Sequence, residues 1–256
     1  MPKLPDYPVP ALEKGLDILE VLGAAAVPQS LAELATQLHR SRSELFRMLN
    51  CLERRGYLSR DEASGKVSLS LKLFALAHAH SATEKLLHAA RGPMQALTEK
   101  TRESCHLSVL HQGRLLVVAQ EESPERVRLS IEVGGTFDAS HTASGRLLLA
   151  QLGARERESA LSATTAFDRP LDAAARRKLE RAIAGLRRTG VSTADSETIS
   201  GVRDVAVLVG SAQSGVTGAL AITLLTKHDQ PWNEPELLKA MRAAASEITR
   251  KLGLST

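Results

Sequence analysis

"SLAELATQLHRSRSELFRMLNCLERRGYLSRD", Ser30 to Asp61, starts two helices in quick succession. Ser30 stands three residues before Glu33, and Ser41 three before Glu44. That is capping-box spacing: the serine oxygen accepts from the N3 amide and the carboxylate accepts from the cap amide. Leu31, Leu34, Ala35 and Leu38 make one buried face, and Leu45, Met48, Leu49 and Leu52 make the other. Only His39 and Arg40 separate Leu38 from the second cap, and Gly56 stops the second helix. Ahead of both, Leu12, Leu16, Leu19 and Leu22 mark a further helix that "GAAAVPQ" breaks. Behind them, Tyr57–Arg60 and Lys66–Leu71 alternate apolar and polar around "DEASG", which predicts a β-hairpin.

With the leucines inward, Ser43, Arg47 and Asn50 point out from the second capped helix, with Phe46 at the edge. Arginine and asparagine read base edges bidentately in a major groove. Ser41 and Arg42 in the first turn, and Arg60 and Lys66 on the hairpin, suit phosphates or flanking bases. From Arg40 to Arg60 six arginines stand against Glu44 and Glu53, whereas Met1 to Leu38 holds two lysines against five acids. Over 256 residues the net charge is only +4, so the distribution carries the signal. Two capped helices with a tight junction, the second one basic, followed by a hairpin, make a winged helix-turn-helix with duplex DNA as partner. The plain alternative is a solvated face whose arginines serve solubility.

The length suits two domains, and with 43% apolar but 3% aromatic residues the cores must be built from Leu, Val, Ile and Ala. "MPKLPDYPVP" is proline-rich without an apolar run and reads as a flexible arm, not a signal peptide. No apolar stretch is long enough to span a bilayer. Cys51 and Cys105, without a CxxC, fit a reducing cytoplasm. Helical character runs from Leu73 to about Thr101, with a break at Pro93. Short β runs follow: "CHLSVL", "LLVVAQ" and "RVRLSIEV", the first two joined by a turn at His111–Arg114. "HTASGRLLLAQL" is a loop running into a helix, and Arg155–Ser162 and Asp172–Thr189 are helical. "DVAVLVG" and "VTGALAITLL" are strands around a turn at Gln213–Gly215. A last helix spans Glu234–Leu252. The class is α+β with an antiparallel sheet.

The segments "LEKGLDILEVL", "LAELATQL", "SRSELFRMLNCLERRGYL", "LSVLHQGRLLVVAQEES", "HTASGRLLLAQL" and "ISGVRDVAVLVG", in this order, resemble the IclR family of bacterial transcription regulators over almost the whole chain. The resemblance implies a winged helix-turn-helix over 11–76 after a flexible arm at 1–10, a helical linker at 77–101, and a GAF-like effector domain over 102–256. It also implies dimers, or dimers of dimers, on palindromic operators. Its departures are His39 and Arg40 where the family favours a glycine and an apolar residue, Phe46 where a histidine is common, and Asp204 where a cysteine is frequent.

Small residues at Ala143, Ser144 and Gly145 open a helix, and their N–H groups with the helix dipole suit a carboxylate. The plain alternative is an ordinary N-cap. The resemblance brings Asp204, Ala221, Thr223, Asp195 and Leu129 to the same pocket, so the expected effector is a small organic acid. Asp204 would repel a bare carboxylate, which predicts that the effector also carries a hydrogen-bond donor. Three rival readings remain. Ser144 with His141 evokes a hydrolase, but G-x-S-x-G is absent. His78, His80, His88, Cys105 and His106 evoke a metal sensor, but His78 and His80 diverge on a helix. An architectural DNA-binding protein would not need so large a second domain. The expectation is a non-enzymatic regulator with no cofactor and no metal.

Overall fold

A computed structural model describes residues 8–78, 82–164, 172–195, 200–211, 216–225 and 233–254. The chain divides into two compact units, Met1–Ser81 and Ala82–Thr256. The expected turn at Gln213–Gly215, residues 1–7 of the arm, and His80 lie outside the described residues.

The first unit runs α1 (Pro10–Ala24), α2 (Leu31–Gln37), α3 (Arg42–Arg54), β1 (Leu58–Arg60), β2 (Val67–Leu69) and α4 (Lys72–His78). Both capping boxes form: Ser30 with Glu33 and Ser41 with Glu44 bond reciprocally. Hydrogen bonds from the Ser30 amide and hydroxyl, with Lys66 nearby, hold the Glu33 carboxyl down at about 2. Ile18, Leu22, Leu34, Leu45, Leu49, Leu58 and Val67 make the core. On α1 the packing ridge is Ile18–Leu22, and Leu12 and Leu16 are half exposed. At 3.6 residues per turn they sit roughly a quarter turn or more round the wheel from that ridge. The junction between α2 and α3 has no glycine, and His39 itself takes the left-handed conformation at φ +50°. Its successor closes the turn, with Arg40 N–H donating to the Ala35 carbonyl at 3.0 Å. In the hairpin Leu58 pairs with Leu69 and Arg60 with Val67, and Val67 also exchanges two backbone bonds with Gln29.

The second unit begins with α5 (Ala82–Thr101), β3 (Cys105–His111), β4 (Arg114–Glu121), β5 (Thr136–Asp138) and α6 (Ala143–Gln151). It continues with α7 (Ala154–Thr164), α8 (Ala173–Ile183), α9 (Leu186–Thr189), β6 (Val191–Asp195), β7 (Val202–Ser211), β8 (Val216–Leu225) and α10 (Glu234–Lys251). One antiparallel sheet runs β5-β4-β3-β8-β7-β6. Period-2 alternation sends the two faces to different partners. Leu107, Val205, Val207, Leu220 and Ile222 meet Leu86, Met94, Met241 and Ile248 of α5 and α10. The other face, with Leu115, Ala206, Ala219 and Ala221, receives Ala143, Leu147 and Leu148 of α6.

Four expectations change here. Pro93 lies inside α5 without ending it. Burial of Leu86, Ala89, Ala90, Met94 and Leu97 outweighs the hydrogen bond that proline removes, and makes this stretch a wall of the second unit. "RVRLSIEV" is not a strand, because the edge of β4 bonds the next turn: Val117 N–H donates to Gly135 at 3.0 Å and Gly134 N–H to Val117 at 2.9 Å. The residues before "ISGVRDVAVLVG", for which no strand was expected, form β6, which Asp195 ends. The long helix expected over Asp172–Thr189 divides at Ala184–Gly185 into α8 and α9.

Candidate functional site

On α3, Leu45 and Leu49 are buried while Arg42, Ser43, Phe46, Arg47 and Asn50 are exposed. Helical geometry thus gathers the outward residues named from the sequence onto one surface. Ser41 is exposed too, but its hydroxyl is held in the cap, 3.0 Å from Glu44 Oε2 and 3.2 Å from Ser43 Oγ. The two acids of α3 are both paired, Glu44 with Lys14 Nζ at 2.7 Å and Glu53 with Arg60 at 2.8 Å. Lys14 first, then Ser41, holds the Glu44 carboxyl at about 2. Glu44 and Glu53 stay ionised, and each faces a cation, so Arg42, Arg47 and Arg54 set the outward charge of α3.

Arg60 sits differently from its expected phosphate position. Its Nε donates to both Glu53 carboxylate oxygens, at 3.0 and 3.1 Å, and a second nitrogen donates to the Gly65 carbonyl at 3.0 Å. The fork is used up in fastening the hairpin to α3. Lys66 reaches Glu33 at 3.2 Å across an exposed pair, a weak tie that solvent screens.

In the second unit a cavity of about 440 Å³ lies beside α6 on the sheet face that α6 covers. Leu129, Ser144, Asp195, Asp204 and Thr223 line it. Ala143, Gly145 and Ala221 do not: Ala143 and Ala221 are packed into the core beneath. Gly145 serves close packing, since a Cβ there would lie 2.3 Å from the Ala139 carbonyl oxygen. Its N–H donates to the capping Thr142 Oγ1 at 3.1 Å, so it is not available to a ligand.

Asp204 pairs in register with Thr223. Burial pushes its carboxyl above the ordinary range, while a hydrogen bond with Thr223 pulls the other way. Arg203, its neighbour, turns to the opposite face, where it meets Glu234 of α10 at 3.4 Å and Asp195, its cross-strand partner on β6, at 3.6 Å. Arg146 does not line this cavity; its Nε donates to the Ser140 carbonyl at 2.8 Å. Asp138 and His141 also line it, with Asp138 3.2 Å from His141 Nδ1 and accepting from Ser140 at 2.7 Å. The lining therefore holds three carboxylates and two histidines, with no lysine or arginine.

His106, Asp138, Ser130, Ile131 and Phe137 were not singled out for this pocket from the sequence. His106 had a signal, since it alternates with Cys105 and Leu107, which face the helices. Leu129 and Ile131 likewise account for the alternation in "RVRLSIEV". No hydrogen bond joins Ser144 to His141 among the described residues. Among those residues, too, no group of three His, Cys, Asp or Glu is placed to hold a metal ion, and no helix is long and apolar enough to cross a membrane.

A basic reading helix on one unit and a cavity-bearing sheet domain in the other are the parts of a transcription regulator with a ligand-binding C-terminal domain. Comparisons with known proteins agree. Residues 78–250 match the model of the bacterial transcriptional regulator IclR C-terminal domain, and 11–62 match the IclR helix-turn-helix domain. The HTH-type transcriptional regulator XynR of Escherichia coli is 26% identical, over 96% of this chain and 98% of its own. The regulator KdgR of Dickeya chrysanthemi is 27% identical, over 98% and 82%. An IclR homolog from Microbacterium hydrocarbonoxydans, solved with 4-hydroxybenzoate, superposes with TM-score 0.80 at 25% identity, covering 96% of this chain and all (100%) of that one. The chain belongs to the IclR family. It is a DNA-binding regulator and not an enzyme.

Proposed function

We propose that this regulator is a cytoplasmic homodimer or dimer of dimers that binds palindromic operators through α3. In this reading Arg42, Ser43, Phe46, Arg47 and Asn50 face the groove, Lys66 approaches phosphate, and Arg60 fixes the wing. The regulator answers to a small organic acid that also bears a hydroxyl. The observation that carries the effector reading is the charge of the cavity lining: three carboxylates and no lysine or arginine, with Asp195 alone answered from behind by Arg203 at 3.6 Å while Asp204 is half-buried beside Thr223. A ligand carboxylate avoids Asp204 and settles at the start of α6, near Ser144, where backbone N–H groups and the helix dipole favour an anion. Its other end needs a donor to satisfy the acidic wall. The Microbacterium relative solved with 4-hydroxybenzoate supports an aromatic hydroxy acid as the first compound to try.

Two measurements test this. Calorimetric titration of the full chain with hydroxy acids and with matched plain carboxylates should favour the hydroxy acids; tighter binding of the plain acids rejects the effector reading. In mobility-shift assays Arg47→Ala should cost about 1–3 kcal/mol on the operator and relax one base preference. An equal loss on operator and scrambled duplex would mean that Arg47 touches phosphate only.

A further inference from the structure

His106 is 8% exposed and lines the cavity from β3. No hydrogen bond reaches its imidazole among the described residues. Among the described residues the fully enclosed side-chain polar atom without a partner is Ser108 Oγ, so the ring nitrogens of His106, largely buried but not sealed, keep access to the cavity. An imidazole that is unpartnered, buried and set in a cavity wall finds its partner in whatever fills the cavity. Burial alone lowers its pKa to about 4. The ring is therefore neutral at physiological pH, with one nitrogen donating and the other accepting. Such a group discriminates poorly in favour of a charged carboxylate and well in favour of a hydroxyl, which both donates and accepts.

The sheet register places this group. His106 pairs with Ala221 on β8, and Thr223, two residues on and on the same face, pairs with Asp204 on β7. His106, Thr223 and Asp204 thus form a diagonal polar row along the cavity wall. Asp204 repels a ligand carboxylate from this row. The same row welcomes a neutral hydroxyl. The apolar lining, with Leu115, Val117, Leu129, Ile131 and Phe137, suits a flat apolar body between the two ends.

We propose that His106 is the specificity-determining residue of this cavity, selecting effectors by a hydroxyl group placed against its ring, while the acid group lies at the start of α6. The proposal rests on the effector reading above and adds the residue that enforces it. The test uses the full chain, with 4-hydroxybenzoate and benzoate as probes in calorimetry. The wild type should bind 4-hydroxybenzoate tighter by roughly tenfold or more, the worth of one buried hydrogen bond and its unsatisfied partner. His106→Phe should bring the two ligands within about threefold, by weakening 4-hydroxybenzoate and leaving or improving benzoate. His106→Asn, which keeps a donor and an acceptor, should retain part of the preference, and operator binding in both variants reports that the chain is folded. Undiminished preference in both variants overturns the proposal alone. Equal binding of the two ligands by the wild type overturns it and leaves the organic-acid reading standing. Binding of neither ligand by the wild type overturns both.

Discussion

His39 holds φ +50° in the turn that sets α2 against α3. A side chain in the left-handed region costs about 1–2 kcal/mol, and glycine avoids that cost while adding entropy to the unfolded chain. His39→Gly should therefore stabilise the first unit by about 0.5–1 kcal/mol, read as a raised denaturation midpoint at unchanged slope. His106 makes an opposite kind of contribution. Its folded pKa, about 4, lies below the ordinary 6.5, so between those values the unfolded chain binds more protons than the folded one. Stability then rises with pH across that window and falls on acidification. Asp204, with its carboxyl raised by burial, has the reverse sign and takes up a proton in the folded state as pH drops. From pH 7 to pH 5 the wild type should lose on the order of 2 kcal/mol through His106. His106→Asn should flatten that dependence; an unchanged pH profile in denaturant titrations would show that the ring is hydrated in the folded state.

At the scale of elements, α6 seats against the loop before it only because residue 145 lacks a Cβ. Gly145→Ala would set a methyl 2.3 Å from the Ala139 carbonyl oxygen and 2.4 Å from its Cα, both backbone atoms that cannot swing away. The substitution should cost about 1–3 kcal/mol. Because Ser144 and Thr142 line the cavity, it should also weaken effector binding, which paired thermal melts and calorimetry would register together. The sequence pattern carried α3 well: a capping box at each start and a clean leucine face left one outward row. The hairpin was equally legible from its alternation. The cavity wall was not, for a physical reason. Leu129 and Ile131 repeat every second residue because a hollow lies on one side, and without a pairing strand that period imitates β structure. His106 looks like the solvent face of a half-buried strand until α6 covers it. Arg60 reads as a phosphate contact on charge alone, since its partner Glu53 comes within reach only once the hairpin folds back onto α3. Pro93 reads as a break because the apolar contacts that carry α5 past it come chiefly from α10, far along the chain.

For the molecule as a whole, the proposed response is a free-energy coupling between the operator surface of α3 and the cavity beside α6. An effector that binds every state of the protein equally shifts nothing, however tightly it binds. If the effector changes operator affinity by some factor, the operator must change effector affinity by the same factor, whichever sign the regulation takes. Couplings of this kind are typically about 1–3 kcal/mol, or roughly 5- to 150-fold. The measurement is a closed cycle on the full chain. Operator Kd is determined with and without saturating effector, and effector Kd with and without saturating operator duplex. The two ratios should agree, and Arg47→Ala should lower operator affinity in both arms while leaving effector Kd in the free protein unchanged. Equal ratios of one, in a protein that binds both ligands, would mean that the cavity and the reading helix act independently. The regulator would then bind its operator regardless of the effector, and the cavity would need another role.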